Sequence, residues 1–131
     1  MTVAEIMTPA ETMASIADLL QAGQAAAAAS HYADNAILMV TRDCHAIGRA
    51  AIREGFVTIS HRFPCIVVNQ AQVVRRGAIA LHTAQWIARG AGQGSQAVQA
   101  RGTTSAVLNL GNDGRWLVLM ENPWGGPCFD L

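Results

Sequence analysis

The stretch "CIVVNQAQVVRRGAIALHTAQWIAR", residues 65–89, decides the fold. Two runs rich in valine, isoleucine and alternating polar residues flank one glycine, Gly77. Neither run repeats its apolar residues at the 3.6 spacing of a helix, so both read as strands, and Gly77 reads as a tight hairpin turn between them. Downstream the same grammar continues. "GAGQG" (90–94) is a flexible turn, and "SQAVQARGTTSAVLNL" (95–110) is a third long strand in which Gly102 marks a bulge or bend. "GNDG" (111–114) is a second hairpin signal, and "RWLVLMEN" (115–122) is the last strand. Four consecutive strands of this kind predict a meander.

Upstream the periodicity changes. Thr8-Pro9-Ala10-Glu11 is a capping box with proline at the first helical position. Met13, Ile16, Ala17 and Leu20 then form one apolar stripe, and Gly23 ends it. The alanine-rich run "QAAAAASHYA" predicts a short second helix that Asp34-Asn35 stops. "AILMV" (36–40) predicts a short strand, and Thr41–His45 a polar loop. After Gly48, Ile52, Phe56, Ile59 and Phe63 give a third helix its apolar face, up to Pro64. Helices first and strands afterwards is an α+β order, here one domain over residues 1–131. Three helices cover one face of such a sheet. The other face needs a cover as well, and a homodimer is the economical one.

Composition narrows the partners. Half of the residues are apolar, enough for a core without covalent staples. Nine arginines balance nine acids, and there is no lysine, so nucleic acid and anionic membrane are not expected partners. The longest weakly apolar run, "AGQAAAAASHYA", is too short and too polar to span a bilayer. The first residues carry acids and no basic segment, unlike a secretory leader. Cys44, Cys65 and Cys128 are odd in number and form no C-x-x-C pair, which fits reduced thiols in a cytoplasmic protein and neither a disulfide framework nor a structural metal site. His45 and His61 lack partners at metal-ligand spacing, and Cys44-His45 are neighbours in a loop, a poor geometry for a nucleophile and its base. "GAGQG" lacks the following helix that a phosphate cradle needs. No cofactor is implied.

Three motifs stand in order along the chain: Tyr32-Ala33-Asp34, Gly48-Arg49-Ala50-Ala51-Ile52, and Asp113-Gly114-Arg115-Trp116. Together with the ending Asn122-Pro123-Trp124-Gly125 they resemble the SnoaL-like, ketosteroid-isomerase-like members of the nuclear-transport-factor-2-like superfamily. The resemblance covers nearly the whole chain. It implies a cone: a strongly curved antiparallel sheet wrapped around three helices, with one pocket open at the end. Members use that pocket for isomerisation, cyclisation, dehydration or epoxide opening, or for binding alone.

Ketosteroid isomerases resembling this chain use an aspartate base, a tyrosine and a protonated aspartic acid. Carried over from the shared motifs, the base falls on Val40, the tyrosine on Ile16, the second acid on Ala106 and a supporting tyrosine on Phe56. A valine cannot move a proton, so that chemistry is not expected; only Tyr32 of the polar network remains. In the register the resemblance implies, with side chains alternating along strands, Ile79, Leu81, Thr83 and Gln85 point inward on one strand. Leu117, Leu119 and Glu121 do so on the last. His82 and Trp86 then fall on the opposite face, as dimer-interface packing. Glu121 is the one ionisable group of the inward set. A carboxyl at an apolar rim can act as an acid or base, while its plain alternative is a solvated ion pair with an arginine. Tyr32 is either a helix-end core residue or part of the pocket, and Trp116 is packing.

The expected pocket is therefore lined by Tyr32, Val40, Phe56, Thr83, Gln85, Leu119, Glu121 and Trp124, and takes a small apolar or amphipathic molecule. Two functions remain open. One is a small-molecule-binding protein, isomerase-, cyclase- or hydrolase-like, with Glu121 as its catalytic candidate. The other is a non-catalytic dimeric binding or structural module.

Overall fold

The computed structural model describes residues 5–89 and 98–125. In chain order the elements are α1 (Pro9–Gln21), α2 (Ala25–Ala29), β1 (Tyr32–Thr41), β2 (Cys44–Ile47), α3 (Arg49–Arg62), β3 (Cys65–Arg76), β4 (Ile79–Arg89), β5 (Val98–Leu110) and β6 (Trp116–Gly125). The turn at 90–94, residues 95–97 of the third long strand and Cys128 lie outside the described residues.

The capping box is present in full. The Glu11 N–H donates to Thr8 Oγ1 at 3.1 Å, and the Thr8 N–H donates to Glu11 Oε1 at 2.9 Å. The helix closes where Gly23 and Gln24 donate their N–H groups back to the carbonyls of Leu20 and Leu19. Helix α2 is shorter than the alanine run predicts. Five alanines offer no large apolar stripe, and Tyr32 leaves to pair with Val118 of β6. Asp34-Asn35 consequently lies inside β1 and does not stop a helix. Arg49 holds this turn-out: its Nε donates to the Tyr32 carbonyl at 2.7 Å, and its Nη1 pairs with Asp34 at 2.7 Å. Two of the sequence motifs thus meet in space. The polar segment Thr41–His45 is also not all loop. Thr41 faces Cys44, so the chain reverses and adds β2 as a short edge strand.

The six strands form one unclosed, curved sheet in the order β2-β1-β6-β5-β4-β3. The meander β3-β4-β5-β6 is antiparallel throughout. The pair β1–β6 is parallel, against the all-antiparallel expectation, because the meander brings β6 back beside β1 running in the same direction. The β3–β4 hairpin closes with Gly77-Ala78: Gly77 has φ 58°, and Ala78 is not in the positive-φ region, the arrangement of a two-residue turn with glycine first.

The helices pack on one face, α1 against β3 and α3 against β1. The residues that meet them alternate. On β4 they are Ala80, His82, Ala84, Trp86 and Ala88; on β5 they are Thr104, Ala106 and Leu108. The inward set of β4 is therefore one residue out of step with the expectation. Ile79 and Leu81 are exposed outside, Gln85 is exposed and Thr83 is half-buried. His82 and Trp86 are buried under the helices and do not form the outer packing expected of them. A sheet that bends around helices crowds its concave side, so small alanines go inward and the larger aliphatics outward.

Trp86 fits there because Gly102 stands opposite it across the β4–β5 ladder, in register and with no bulge at that pair. A Cβ at Gly102 would lie 2.7 Å from the Trp86 indole. An alanine normally stabilises a strand relative to glycine. Here the clash outweighs that gain. Gly102→Ala should therefore destabilise the fold by about 1–3 kcal/mol in urea denaturation. An unchanged or raised midpoint would mean that the indole is free to move aside.

Candidate functional site

Between α1, α3 and the concave face lies a cavity of about 90 Å³. Its wall is apolar for the most part: Met13, Ile16, Ala17 and Leu20 of α1, Phe56 and Ile59 of α3, and Leu38 of β1 all border it. The aromatic rings interlock. Tyr32 meets Phe56 edge-on with centroids 5.5 Å apart, and Trp86 meets Trp124 at 90° and 5.3 Å. The Trp86 Nε1–H donates to the Pro123 carbonyl at 2.6 Å, which fixes the chain where β6 nears its end.

The polar groups gather at Glu121. One carboxylate oxygen accepts from the Tyr32 hydroxyl, and the other accepts from Thr104 Oγ1 at 2.5 Å. These three groups come from β1, β5 and β6, so they require the sheet to be assembled. Among the described residues no arginine borders the cavity. Glu121 is half-buried as a residue, with its carboxyl turned onto the two hydroxyls; desolvation there pushes its pKa up, only partly offset by the Thr104 and Tyr32 hydrogen bonds. Tyr32 is buried beside the same carboxyl, and its pKa rises well above that of free tyrosine, so it stays a hydroxyl donor. His82 also borders the cavity and is 1% exposed. Burial lowers its pKa, and its Nδ1 has no hydrogen-bond partner among the described residues. Trp124 Nε1 is likewise buried with no partner among the described residues.

Cross-strand register explains the grouping. His82 faces Ala106, Ala106 faces Glu121, and Glu121 faces Leu38, in one inward row across four strands. Ala106 is the position where the resemblance puts a second acid. The ionisable groups stand on the strands either side of it, with only a methyl between them.

Of the residues expected in the pocket, Tyr32, Phe56, Glu121 and Trp124 border the cavity together. Val40 does not: it packs on Gly55 of α3 and borders a separate, shallow depression with Cys44 and His45. Thr83 and Gln85 face outward, and Leu119 sits in the irregular part of β6, away from the cavity. Sequence reasoning missed Thr104 and Phe63 and put His82 and Trp86 on the wrong face. The Ala80-x-His82-x-Ala84-x-Trp86-x-Ala88 alternation, small residues between large ones, was the available signal for that face. Among the described residues no group of three or more metal-ligating side chains occurs.

The two titrations act on stability in opposite directions. The Glu121 pKa is raised, so its contribution is complete below the ordinary value of 4.5 and is lost as pH climbs through the raised value. The His82 pKa is lowered, so its contribution is complete above 6.5 and is lost as pH falls through the lowered value. In urea titrations across this range, Glu121→Gln should gain stability relative to the wild type as pH rises from 4.5. A difference independent of pH would show that the carboxyl is solvated.

No protein-family model matches the chain, and no curated protein matches it in sequence. Solved structures do match in shape. A Nostoc punctiforme protein of unknown function with a cystatin-like fold superposes with TM-score 0.76 at 14% identity, covering 92% of this chain and 90% of its own. An NTF2-like protein with a cystatin-like fold from Novosphingobium aromaticivorans gives 0.73 at 16%, covering 86% and 75%. A proposed scytalone dehydratase from the same organism gives 0.71 at 13%, covering 86% and 77%. At these identities the likeness is one of architecture: this chain has the cystatin-like fold of the nuclear-transport-factor-2-like proteins.

Proposed function

We propose that this chain binds a small apolar or amphipathic molecule in the cavity under α1, with Glu121 as the group that meets the ligand's polar end and exchanges a proton with it. The observation that carries this reading is the Glu121 carboxyl: half-buried on a mostly apolar wall, gripped by two hydroxyls, with no arginine among the described residues that line the cavity. A carboxyl whose pKa is raised in this way is suited to general acid or base work, which is what an isomerase-, cyclase- or hydrolase-like reaction would ask of it. The proposed scytalone dehydratase among the structural neighbours supports chemistry in this fold at the level of analogy only.

The volume limits the ligand. An apolar cavity of about 150 Å³ holds benzene. The space here is about 90 Å³, so the resting shape takes a molecule of a few heavy atoms. A larger one has to displace Trp124, which is only half-buried.

A second reading, a non-catalytic dimeric module, draws on Val40, Ile16, Ala106 and Phe56 standing where related enzymes hold polar groups. It also draws on the outer face. Val74, Leu81, Val107, Met120, Ile37 and Ile47 face one another in turn across all six strands, and five of them are among the exposed large hydrophobics. Such a stripe is suited to a second copy of the chain, under either reading. Sedimentation should give a dimer that Leu81→Arg with Met120→Arg dissociates; a wild type that is monomeric at high concentration removes the homodimer.

The cavity itself is tested with a panel of small apolar fragments, read by NMR shift perturbation. Ala17→Leu fills the wall from α1 and should abolish binding while the fold persists. Glu121→Gln should spare purely apolar fragments and weaken those with a polar head. Fragment binding unaffected by Ala17→Leu would place the ligand elsewhere.

A further inference from the structure

The cavity's polar atoms are unbalanced in kind. Glu121 offers two oxygens, each with one donor already on it and room for a second. His82 Nδ1 is buried with no partner among the described residues, on a ring that burial favours in its neutral form; with the proton on Nε2 it is an acceptor. Both belong to the same inward row, separated by the methyl of Ala106 on the strand between them. With neighbouring strands about 4.8 Å apart, the backbones of the two residues stand roughly 10 Å from each other, and both residues border the same cavity. Around them stand five aromatic rings: Tyr32, Phe56, Phe63, Trp86 and Trp124. Among the described residues no arginine or lysine lines the space.

We propose that the ligand is an amine with a small apolar body, held as an ammonium ion between the Glu121 carboxylate and His82 Nδ1 against the aromatic walls. This rests on the reading of the cavity as the binding site and names the class of ligand. An ammonium head supplies what the wall lacks. It brings a positive charge for a desolvated carboxylate held only by hydroxyls, several N–H donors for unfilled acceptors, and a cation for ring faces. An alcohol offers a single O–H to the same acceptors. A carboxylate ligand would set a second negative charge beside Glu121 with no cation to offset either. The raised pKa of Glu121 fits the same picture. A neutral amine meets the neutral acid, the Glu121 O–H bond breaks, a new N–H bond forms, and the resulting carboxylate keeps the Tyr32 and Thr104 hydroxyls as donors. Neither partner carries a charge while it sheds its water. Trp124 Nε1 is a donor on the same lining with no partner among the described residues, so an ether or carbonyl oxygen elsewhere on the ligand would add to the fit.

The test is calorimetric titration with two matched series: isobutylamine, isobutanol and isobutyrate, then benzylamine, benzyl alcohol and benzoate. The amine should bind at least about tenfold tighter than the alcohol in the series that fits, and the acid should not bind, since charge-assisted hydrogen bonds and cation–π contacts each favour the cation. Glu121→Gln should erase the gap between amine and alcohol, because the amine loses far more affinity than the alcohol does; His82→Leu should narrow it. The comparison within the wild type stands whether or not either variant folds. Alcohols binding as well as amines would overturn the amine and leave the cavity standing as a binding site. No binding by any of the six would remove the cavity as a binding site, and this inference with it.

Discussion

One extra residue in β6 aims the site. Along the first half of that strand Trp116 and Val118 point under the helices, so strict alternation would send Met120 inward and Glu121 out to solvent. The ladder slips instead: Leu108 faces Val118, but Val107 faces Met120, so Leu119 is left over. This irregularity inverts the parity of everything after it. Met120 turns out onto the apolar stripe, and Glu121 turns in, opposite Ala106 and within reach of the Tyr32 and Thr104 hydroxyls. The carboxyl's burial, its raised pKa and its place among the rings all follow from one residue that the partner strand does not match.

The concave face makes room for that carboxyl by being built small. Ala80, Ala84, Ala88 and Ala106 spare the volume that leucines would fill, and Gly102 spares the volume of Trp86. The convex face carries the aliphatic bulk that the concave one cannot hold. A sheet bent in this way exposes apolar surface outside as the counterpart of keeping space inside, and the cavity and the outer stripe are two results of the same curvature.

Local chemistry was readable where it is local. The capping box, the Gly77 turn, the end of α3 before Pro64 and the four-strand meander all stand where the residues predict them. What the residues do not encode locally is direction. Strands such as "AIALHTAQWIAR" carry apolar side chains on both faces, so hydrophobicity alone does not say which is inner, and a count displaced by one residue reverses His82 and Thr83 together. For β6 the displaced count met the Leu119 irregularity, and the two offsets cancelled at Glu121, though not at Leu117 or Leu119. The alanine-rich segment misled for another reason. Helix propensity favours its continuation, but the tie from Arg49 to Tyr32 and Asp34, seventeen residues away in sequence for the former, draws those residues into the sheet.

The three tryptophans are distributed unequally. Trp86 and Trp124 stand edge to face on the cavity wall, whereas Trp116 is buried beyond it, with its Nε1–H donating to Glu5 at 2.5 Å and the Arg75 guanidinium over its ring. The molecule therefore carries its own optical reporter. Two of its indoles sense whatever fills the cavity, through a change in polarity or in their mutual stacking, while the third emits from a fixed setting and serves as an internal reference. Intrinsic fluorescence of the unlabelled protein is in this sense a spectroscopic readout of one small volume.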